Sequence, residues 1–326
     1  METTDAFLDN TKISSYKDCP RKYFLRHILD WTTTGTAIPL VFGSSWHAAM
    51  DIVWVHATKM PKNELIQTAM AAFAEKWEEE GMSFDLDMEQ ILAFTPRTPQ
   101  IAEEMLHAYI DERWPVLSNC EILAAEGPFA VPLPGFAKTW YVGRLDKAIE
   151  YNGMKLVIEH KTTTIYKKDG GFQSTYIEGW YSDAQVKGYQ YGAGLYYPGL
   201  NQVWVDAALV HKTVHDKFRF VPVNHSFPII QEWINDTEAW IKQMQDDEHK
   251  FRSAGDRLTP GVFKKNENNC FGKFGSCPFL DICRTTPDPS VLGEPPERYS
   301  VEKWEPFITL GIDKILNNGV DNAQRP

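Results

Sequence analysis

The sequence contains no uninterrupted apolar run of about 18 residues, the length a membrane-spanning helix needs, and no internal repeat or low-complexity block. Its start, METTDAFLDNTK, is acidic and polar and lacks the apolar core of a secretory signal peptide. Basic charge is scarce: 33 Lys and Arg stand against 44 Asp and Glu, a net −11 at pH 7. That balance excludes a protein that coats nucleic acid through a broad basic surface, but allows a local basic groove around an acidic site. No G-x4-GK[ST] phosphate loop is present, so no motor of that kind is encoded. Cysteine is sparse and odd in number, at 5, which does not suit a disulfide framework. The expectation is a soluble protein that does not engage a membrane.

What the chain does have is core material, with 43% hydrophobic and 13% aromatic residues across 326 positions, enough for one large domain or two modest ones. The most informative stretch is YVGRLDKAIEYNGMKLVIEHKTTT, Tyr141 to Thr164. It reads as two strands, Trp140 to Tyr151 and Met154 to His160, joined at Asn152-Gly153. Asn-Gly between alternating apolar runs is a strong hairpin signal because both residues tolerate positive φ. Asp146 lies in the first strand, and Glu159 and Lys161 end the second. Glu159 and Lys161 are two apart, so on an extended chain they leave the same face. Two acids and a lysine at one end of a hairpin can hold a hard divalent cation, Mg²⁺ or Mn²⁺, beside a phosphate under attack. A surface hairpin with a cross-strand salt bridge would carry the same D-x12-E-x-K spacing.

Around the hairpin the pattern is helical first. Ser14-Ser15 can cap a helical turn through Asp18, and Pro20 suits the start of a second helix, RKYFLRHIL. Cys19 sits at that junction, and taken alone reads as a buried, inert thiol. Gly43-Ser44-Ser45 predicts a helix start before the apolar stripe Trp46, Ala49, Met50, Val53 and Trp54, with His47 in the first turn as an ordinary surface or capping histidine. Two amphipathic helices are expected at Lys62 to Glu79 and Gln100 to Leu117. From Cys120 the period changes to that of strands, and Glu126 in the first of them reads as an exposed or edge acid. KKDGGFQSTYIEG reads as a flexible loop before a helix from Trp180 to Tyr197. On that helix Gln185 and Tyr189 share a face. Strands at Gln202 to Lys212 and Lys217 to Val223 follow, then a helix from Pro228 to Phe251. A proline-interrupted tail runs from about residue 287, with a final helix around Glu305 to Leu316. The order gives a mixed α/β fold with a helical N-terminal part.

Three cysteines, Cys270, Cys277 and Cys283, follow a C-x6-C-x5-C spacing and lack a fourth partner nearby. Cys19, followed by Pro20, is the natural candidate, because Cys120 precedes a strand with no loop character. Four thiolates suit Zn²⁺ or an iron–sulfur cluster. The wide spacing and the distant partner favour a [4Fe–4S] cluster. Either would tie the first helices to the C-terminal segment, and folding would depend on it.

Six short motifs occur in one order: S-x4-C-P-x2-Y (Ser15 to Tyr23), G-x3-H (Gly43 to His47), GRLD (Gly143 to Asp146), EHKTT (Glu159 to Thr163), Q-x3-Y (Gln185 to Tyr189) and the three C-terminal cysteines. In this the chain resembles the RecB-like exonucleases of the PD-(D/E)XK nuclease superfamily, in their iron–sulfur branch. The resemblance implies a restriction-endonuclease-like α/β core, a mixed central β-sheet flanked by helices. It implies one nuclease domain over residues 1–286, with a helical insert at about 58–118 and a cysteine segment at 266–286 joined to Cys19, before the Pro-rich tail 287–326. It further implies that His47, Asp146, Glu159 and the backbone carbonyl of His160 bind Mg²⁺ or Mn²⁺, and that Lys161 is catalytic beside Asp146 and Glu159. Gln185 and Tyr189 would face DNA, with Tyr189 and nearby aromatics stacking bases. Cys19, Cys270, Cys277 and Cys283 would hold a [4Fe–4S] cluster, with Zn²⁺ as the alternative.

The activity so implied is metal-dependent hydrolysis of DNA, from ends and on single strands, in recombination, repair or replication. A helicase or recombination protein would be the partner, and the cytoplasm of a bacterial cell, or of a host if the chain is phage-encoded, the place. The competing reading is a catalytically silent, cluster- or zinc-stabilised module that binds DNA ends or protein.

Overall fold

A computed structural model describes residues 6–312 except 36, 168–169 and 273–274. In chain order the elements are β1 Ala6–Leu8, α1 Asn10–Asp18, α2 Pro20–Tyr23, β2 Trp31–Thr33, α3 Ile38–His56, α4 Lys62–Glu79, α5 Met88–Phe94 and α6 Pro99–Leu117. Then come β3 Cys120–Pro132, β4 Thr139–Tyr151, β5 Met154–Thr163, α7 Ser174–Gly179, α8 Ala184–Tyr196, β6 Gln202–Leu209, β7 Phe218–Val223 and α9 Phe227–Ser253. The last are β8 Phe271–Gly272, β9 Gly275–Ser276, α10 Leu280–Thr285, β10 Tyr299–Val301 and α11 Pro306–Thr309. The chain forms two compact units. Unit 1 comprises Met1–Gly35, Ala130–Gly143 and Phe227–Pro326, and unit 2 comprises Thr36–Phe129 and Arg144–Ser226.

Unit 2 is built on the β4–β5 hairpin. Asn152 and Gly153 take φ of 51° and 74°, and Tyr151 pairs with Met154, so the Asn-Gly turn closes a two-residue hairpin. β5 is then parallel to β6, with Glu159 opposite Val205 and His160 opposite Asp206, and β7 completes this side antiparallel to β6. β3 pairs with β4. The sheet is therefore mixed, as expected. The run Leu156, Val157, Ile158 is fully buried, which suits a central strand covered on both faces.

Helices α3, α4 and α6 form the apolar body of unit 2. Phe42, Trp46, Phe73 and Trp77 are each at most 1% exposed, and Phe42 meets Phe73 edge-on at 5.6 Å. Each such ring contributes about 1.5–3 kcal/mol by burial alone. By length and composition α3 is apolar enough to cross a bilayer; Val41, Phe42, Trp46, Ala49, Met50, Val53 and Trp54 on it are buried in this unit. α8 is seated by a close approach: a Cβ on Gly192 would lie 2.3 Å from the Phe129 ring, so only glycine fits there.

In unit 1, β1 runs parallel to the first residues of β4, and α1 packs on α9, where the Tyr16 hydroxyl donates to Asp247 at 2.8 Å. β10 pairs with β2.

Several boundaries depart from the sequence reading. The N-cap of α1 is Asp9, whose carboxylate accepts from the Lys12 N–H, and not Ser14-Ser15. α3 begins at Ile38 with Pro39 in its first turn, so Gly43-Ser44-Ser45 lies inside the helix and His47 lies in its middle. The segment read as a loop before Trp180 contains α7, and α8 starts at Ala184 behind its cap Asp183. The tail is not simply extended, because Tyr299–Val301 adds a strand to β2. The expected last helix is four residues long where described, and its continuation to Leu316 lies outside the described residues.

Candidate active site

The hairpin brings its polar residues together where its two strands part. The last cross-strand pair is Lys147 with Ile158, and beyond it the His160 N–H donates to Asp146 Oδ2 at 2.7 Å instead of to a backbone carbonyl. The Asp146 carboxylate is thus fixed from β5, and His160 contributes through its main chain. From the middle of α3, His47 places Nδ1 3.4 Å from Asp146 Oδ1. Lys161 Nζ lies 2.5 Å from Glu159 Oε1, on the same face of β5, as the two-residue spacing requires. The second oxygen, Glu159 Oε2, is buried with no hydrogen-bond partner.

Electrostatics separates the two acids. Burial pushes the Asp146 carboxyl up, but His47, His160 and Lys161 outweigh it and hold Asp146 well below the usual carboxylate range. Burial raises Glu159, Asp146 raises it further, and Lys161 only partly offsets both. Burial disfavours charge on His47 and Lys161, yet Asp146 raises the former and Glu159 the latter above their ordinary values. The cluster is a buried, mutually compensated set of charges with one carboxylate oxygen left over. Such a leftover acceptor is costly unless something binds it.

Beneath the site lies a set of buried groups that the sequence reading missed. Asp206 on β6 accepts from Arg113 Nε and Nη2 at 3.1 and 2.9 Å, and from the Tyr109 hydroxyl at 2.5 Å. Trp54 Nε1 donates to that same hydroxyl at 2.9 Å. Asp206 Oδ2 also lies 3.4 Å from Nδ1 of the His160 ring, whose pKa burial lowers. One strand over, the fully buried Lys147 pairs with Asp51, one turn past His47 on α3, and donates to the Asp146 carbonyl at 2.9 Å. A lone acid inside the apolar strand QVWVDAAL was the available signal for Asp206.

Gln185 and Tyr189 do share a face of α8, with different exposure. Gln185 is half-buried and donates from Nε2 to the Tyr189 hydroxyl at 2.8 Å. Tyr189 is 7% exposed, its hydroxyl donates to the Arg144 carbonyl at 3.2 Å, and its ring meets Phe129 edge-on at 6.1 Å. Its position corrects the expectation that it stacks bases: the ring is occupied and the hydroxyl steadies Gln185. Glu126 is half-buried and paired with Arg144 at 2.7 Å.

The cysteines of unit 1 form a separate feature. Cys19, Cys270, Cys277 and Cys283 line one cavity of about 90 Å³ together with Lys22 and Lys265. Asn266 and Asn269 tie its two sides by donating to the Asp18 carbonyl, at 2.9 and 2.5 Å. All are free thiols, and burial pushes Cys283 up to about 11, against the pull of Arg21 and Lys265. Cys120 lies elsewhere, at the start of β3 in unit 2. Among the described residues, no three His, Cys, Asp or Glu side chains are gathered closely enough to hold a single metal ion as they stand.

A mixed sheet flanked by helices, with an acid on one strand and E-x-K on the next, defines a class, and comparison with known proteins names it. The family model of the PD-(D/E)XK nuclease superfamily matches residues 10–284, and the chain belongs to that superfamily. No curated protein matches it in sequence. Among solved structures it is similar to a provisionally named exonuclease from Eubacterium rectale, at 14% identity over 86% of this chain and 88% of that one, with a TM-score of 0.47. It is also similar to an alkaline exonuclease, LHK-Exo, from Laribacter hongkongensis, at 15% identity over 65% of this chain and 95% of that one, with a TM-score of 0.30.

Proposed function

We propose that the chain is a Mg²⁺- or Mn²⁺-dependent deoxyribonuclease that degrades DNA from ends and prefers single strands, serving recombination, repair or replication in the cytoplasm. One observation carries the proposal. His47, Asp146, Glu159 and Lys161 meet at the open end of the hairpin, with a buried Glu159 oxygen that has no partner. This donor set fits a hard cation, which His47, Asp146, Glu159 and the His160 carbonyl would hold. When bound, the cation supplies Lewis-acid activation of water and neutralises charge on the phosphate.

The chain's own residues do the rest. Asp146, fixed by the His160 N–H and His47, stays ionised and is a permanent acceptor in the site. Lys161 stays charged beside Glu159 and is placed to orient the attacking water and to stabilise the charge that builds on the non-bridging phosphate oxygens. The water oxygen adds to phosphorus, its proton passes to an acceptor in the site, and the P–O bond to the leaving nucleotide breaks. Gln185 would face the DNA from α8, its amide held by the Tyr189 hydroxyl.

The four cysteines around one cavity support a [4Fe–4S] cluster in unit 1, with Zn²⁺ as the alternative, and Lys22 and Lys265 would offset its negative charge. A helicase or recombination protein is the proposed partner.

Anaerobic digestion of end-labelled single-stranded, duplex and circular DNA with each metal tests the activity. Lys161→Ala is expected to lower the rate by about 10²–10⁴-fold with an unchanged circular dichroism spectrum. Equal degradation by variant and wild type would refute the site.

A further inference from the structure

Unit 2 carries one run of aromatic side chains that the proposed chemistry leaves unused. Phe172, Tyr176 and Trp180 recur every fourth residue: Phe172 bridges Tyr166 just before α7, Tyr176 lies on α7, and Trp180 opens the turn after it. The Phe172 and Tyr176 ring centroids are 6.0 Å apart with planes at 15°, and Tyr176 meets Trp180 edge-on at 5.6 Å. Packing does not explain the run. Ile177 is the buried residue that anchors α7, whereas the three rings are only half-buried and Tyr181 beside them is 50% exposed. Within the run the Trp180 indole N–H is directed at the Tyr176 hydroxyl, and neither buried atom has a partner outside it among the described residues.

The run adjoins the candidate active site. Tyr166, which Phe172 bridges, is five residues past Lys161, and the Gln173 amide donates to the Tyr166 carbonyl at 3.0 Å, so the run begins at the end of β5 that carries Lys161. Burial pushes Tyr176 up to about 12, against the pull of the Lys161 charge. Trp180 opens the turn that ends in Asp183, whose carboxylate caps α8 by accepting from the Gln185 and Val186 N–H groups at 2.8 and 3.1 Å. A cation is present at the same strand end. Three residues past Lys161, the Thr164 hydroxyl accepts from Arg97 Nη2 at 3.2 Å. Arg97 is half-buried, and burial alone lowers its pKa, with no carboxylate acting on it among the described residues. Aromatic faces and an uncompensated guanidinium beside a phosphate-cleaving centre are the two things a nucleotide binds, through its base and its phosphate.

We propose that Phe172, Tyr176 and Trp180 form a base-stacking subsite for a nucleotide of the DNA strand next to the cleaved phosphate, and that Arg97 contacts a neighbouring phosphate. This deepens the nuclease reading of the Lys161 site and rests on it. The subsite takes the role that the buried Tyr189 ring cannot fill. Because every base has a π-face, recognition is tolerant of sequence, and because the base must be unpaired, it favours single strands.

Manganese-dependent degradation of single-stranded oligonucleotides carrying one abasic position, resolved nucleotide by nucleotide, tests the proposal. Wild type is expected to pause at a fixed offset from the abasic nucleotide, with cleavage slowed about tenfold there. The double variant Tyr176→Leu/Trp180→Leu, which keeps apolar bulk but loses both π-faces, should degrade intact DNA about tenfold more slowly and show no pause. Tyr176→Phe should keep the pause, and Arg97→Ala should raise KM and reduce the salt dependence. A double variant with wild-type rates, or one slowed overall that still pauses, would overturn the subsite. Wild-type turnover without any pause would overturn it while leaving the nuclease reading intact. No turnover of any DNA by wild type would overturn both.

Discussion

The acid–lysine cluster of unit 2 and the cysteine cavity of unit 1 are both polar sites, but they are held in different ways. The first is framed by paired strands and buried charges. The His160 N–H fixes Asp146, Lys147 and Asp51 tie β4 to α3, and Asp206 with Arg113 and Tyr109 underlies the His160 ring. The second is lined by short segments joined by a few single bonds, among them two asparagine amides on the Asp18 carbonyl and the Lys265 ammonium on the Cys283 carbonyl. Burial keeps the Cys277 and Cys283 thiols in their protonated form. A prearranged site suits catalysis, where reorganisation costs rate. A site that gains its charges on binding suits a structural ion or cluster, whose binding is part of folding.

Breaking the frame under the first site should produce the largest change. Asp206→Ala strips the buried Arg113 guanidinium of its buried partner and leaves it only the exposed Glu112, with an expected loss of about 3–5 kcal/mol of stability. Urea unfolding measures it, and a loss below about 1 kcal/mol would show that the network is not what holds β5 and β6 in place. Gly192→Ala drives a methyl group into the Phe129 ring and should cost about 1–3 kcal/mol by overpacking. If its unfolding midpoint matches wild type, α8 is less tightly seated than the structure shows.

The smallest effect belongs to unit 1. His27 has its pKa lowered to about 3 by burial, helped by Lys12, Arg26 and Lys22, and its Nδ1 has no partner. The folded state therefore prefers neutral His27, so its contribution is intact above pH 6.5 and is lost as pH falls from there toward 3. Allowing for its partial exposure, wild type should lose about 1 kcal/mol more than His27→Phe between pH 7.5 and 4.5. Parallel stability–pH curves for the two proteins would place that ring in water.

How much of this was legible in the sequence depended on how local the signal was. The hairpin was readable because Asn152-Gly153 and the alternation around it act within a few residues, and Glu159 and Lys161 share a face by spacing alone. His47 was not, because its role depends on α3 lying against β4 and because Gly43-Ser44-Ser45 imitates a helix start that Pro39 provides earlier. α7 was hidden behind Gly170-Gly171 and by its length of six residues. Tyr189 carried the right spacing, but its burial against Phe129 comes from β3, far away in sequence. The pairing of Tyr299–Val301 with Trp31–Thr33 was beyond reach for the same reason. Cys19 was identified only by its company, as the one thiol with loop character outside the C-terminal trio.

Manganese binding followed by electron paramagnetic resonance tests the central claim most directly, because it reads the hairpin site without requiring turnover. The account predicts that Asp146→Asn weakens Mn²⁺ binding at least tenfold relative to wild type while retaining its fold. Undiminished Mn²⁺ binding by Asp146→Asn would contradict the assignment of the metal to this hairpin.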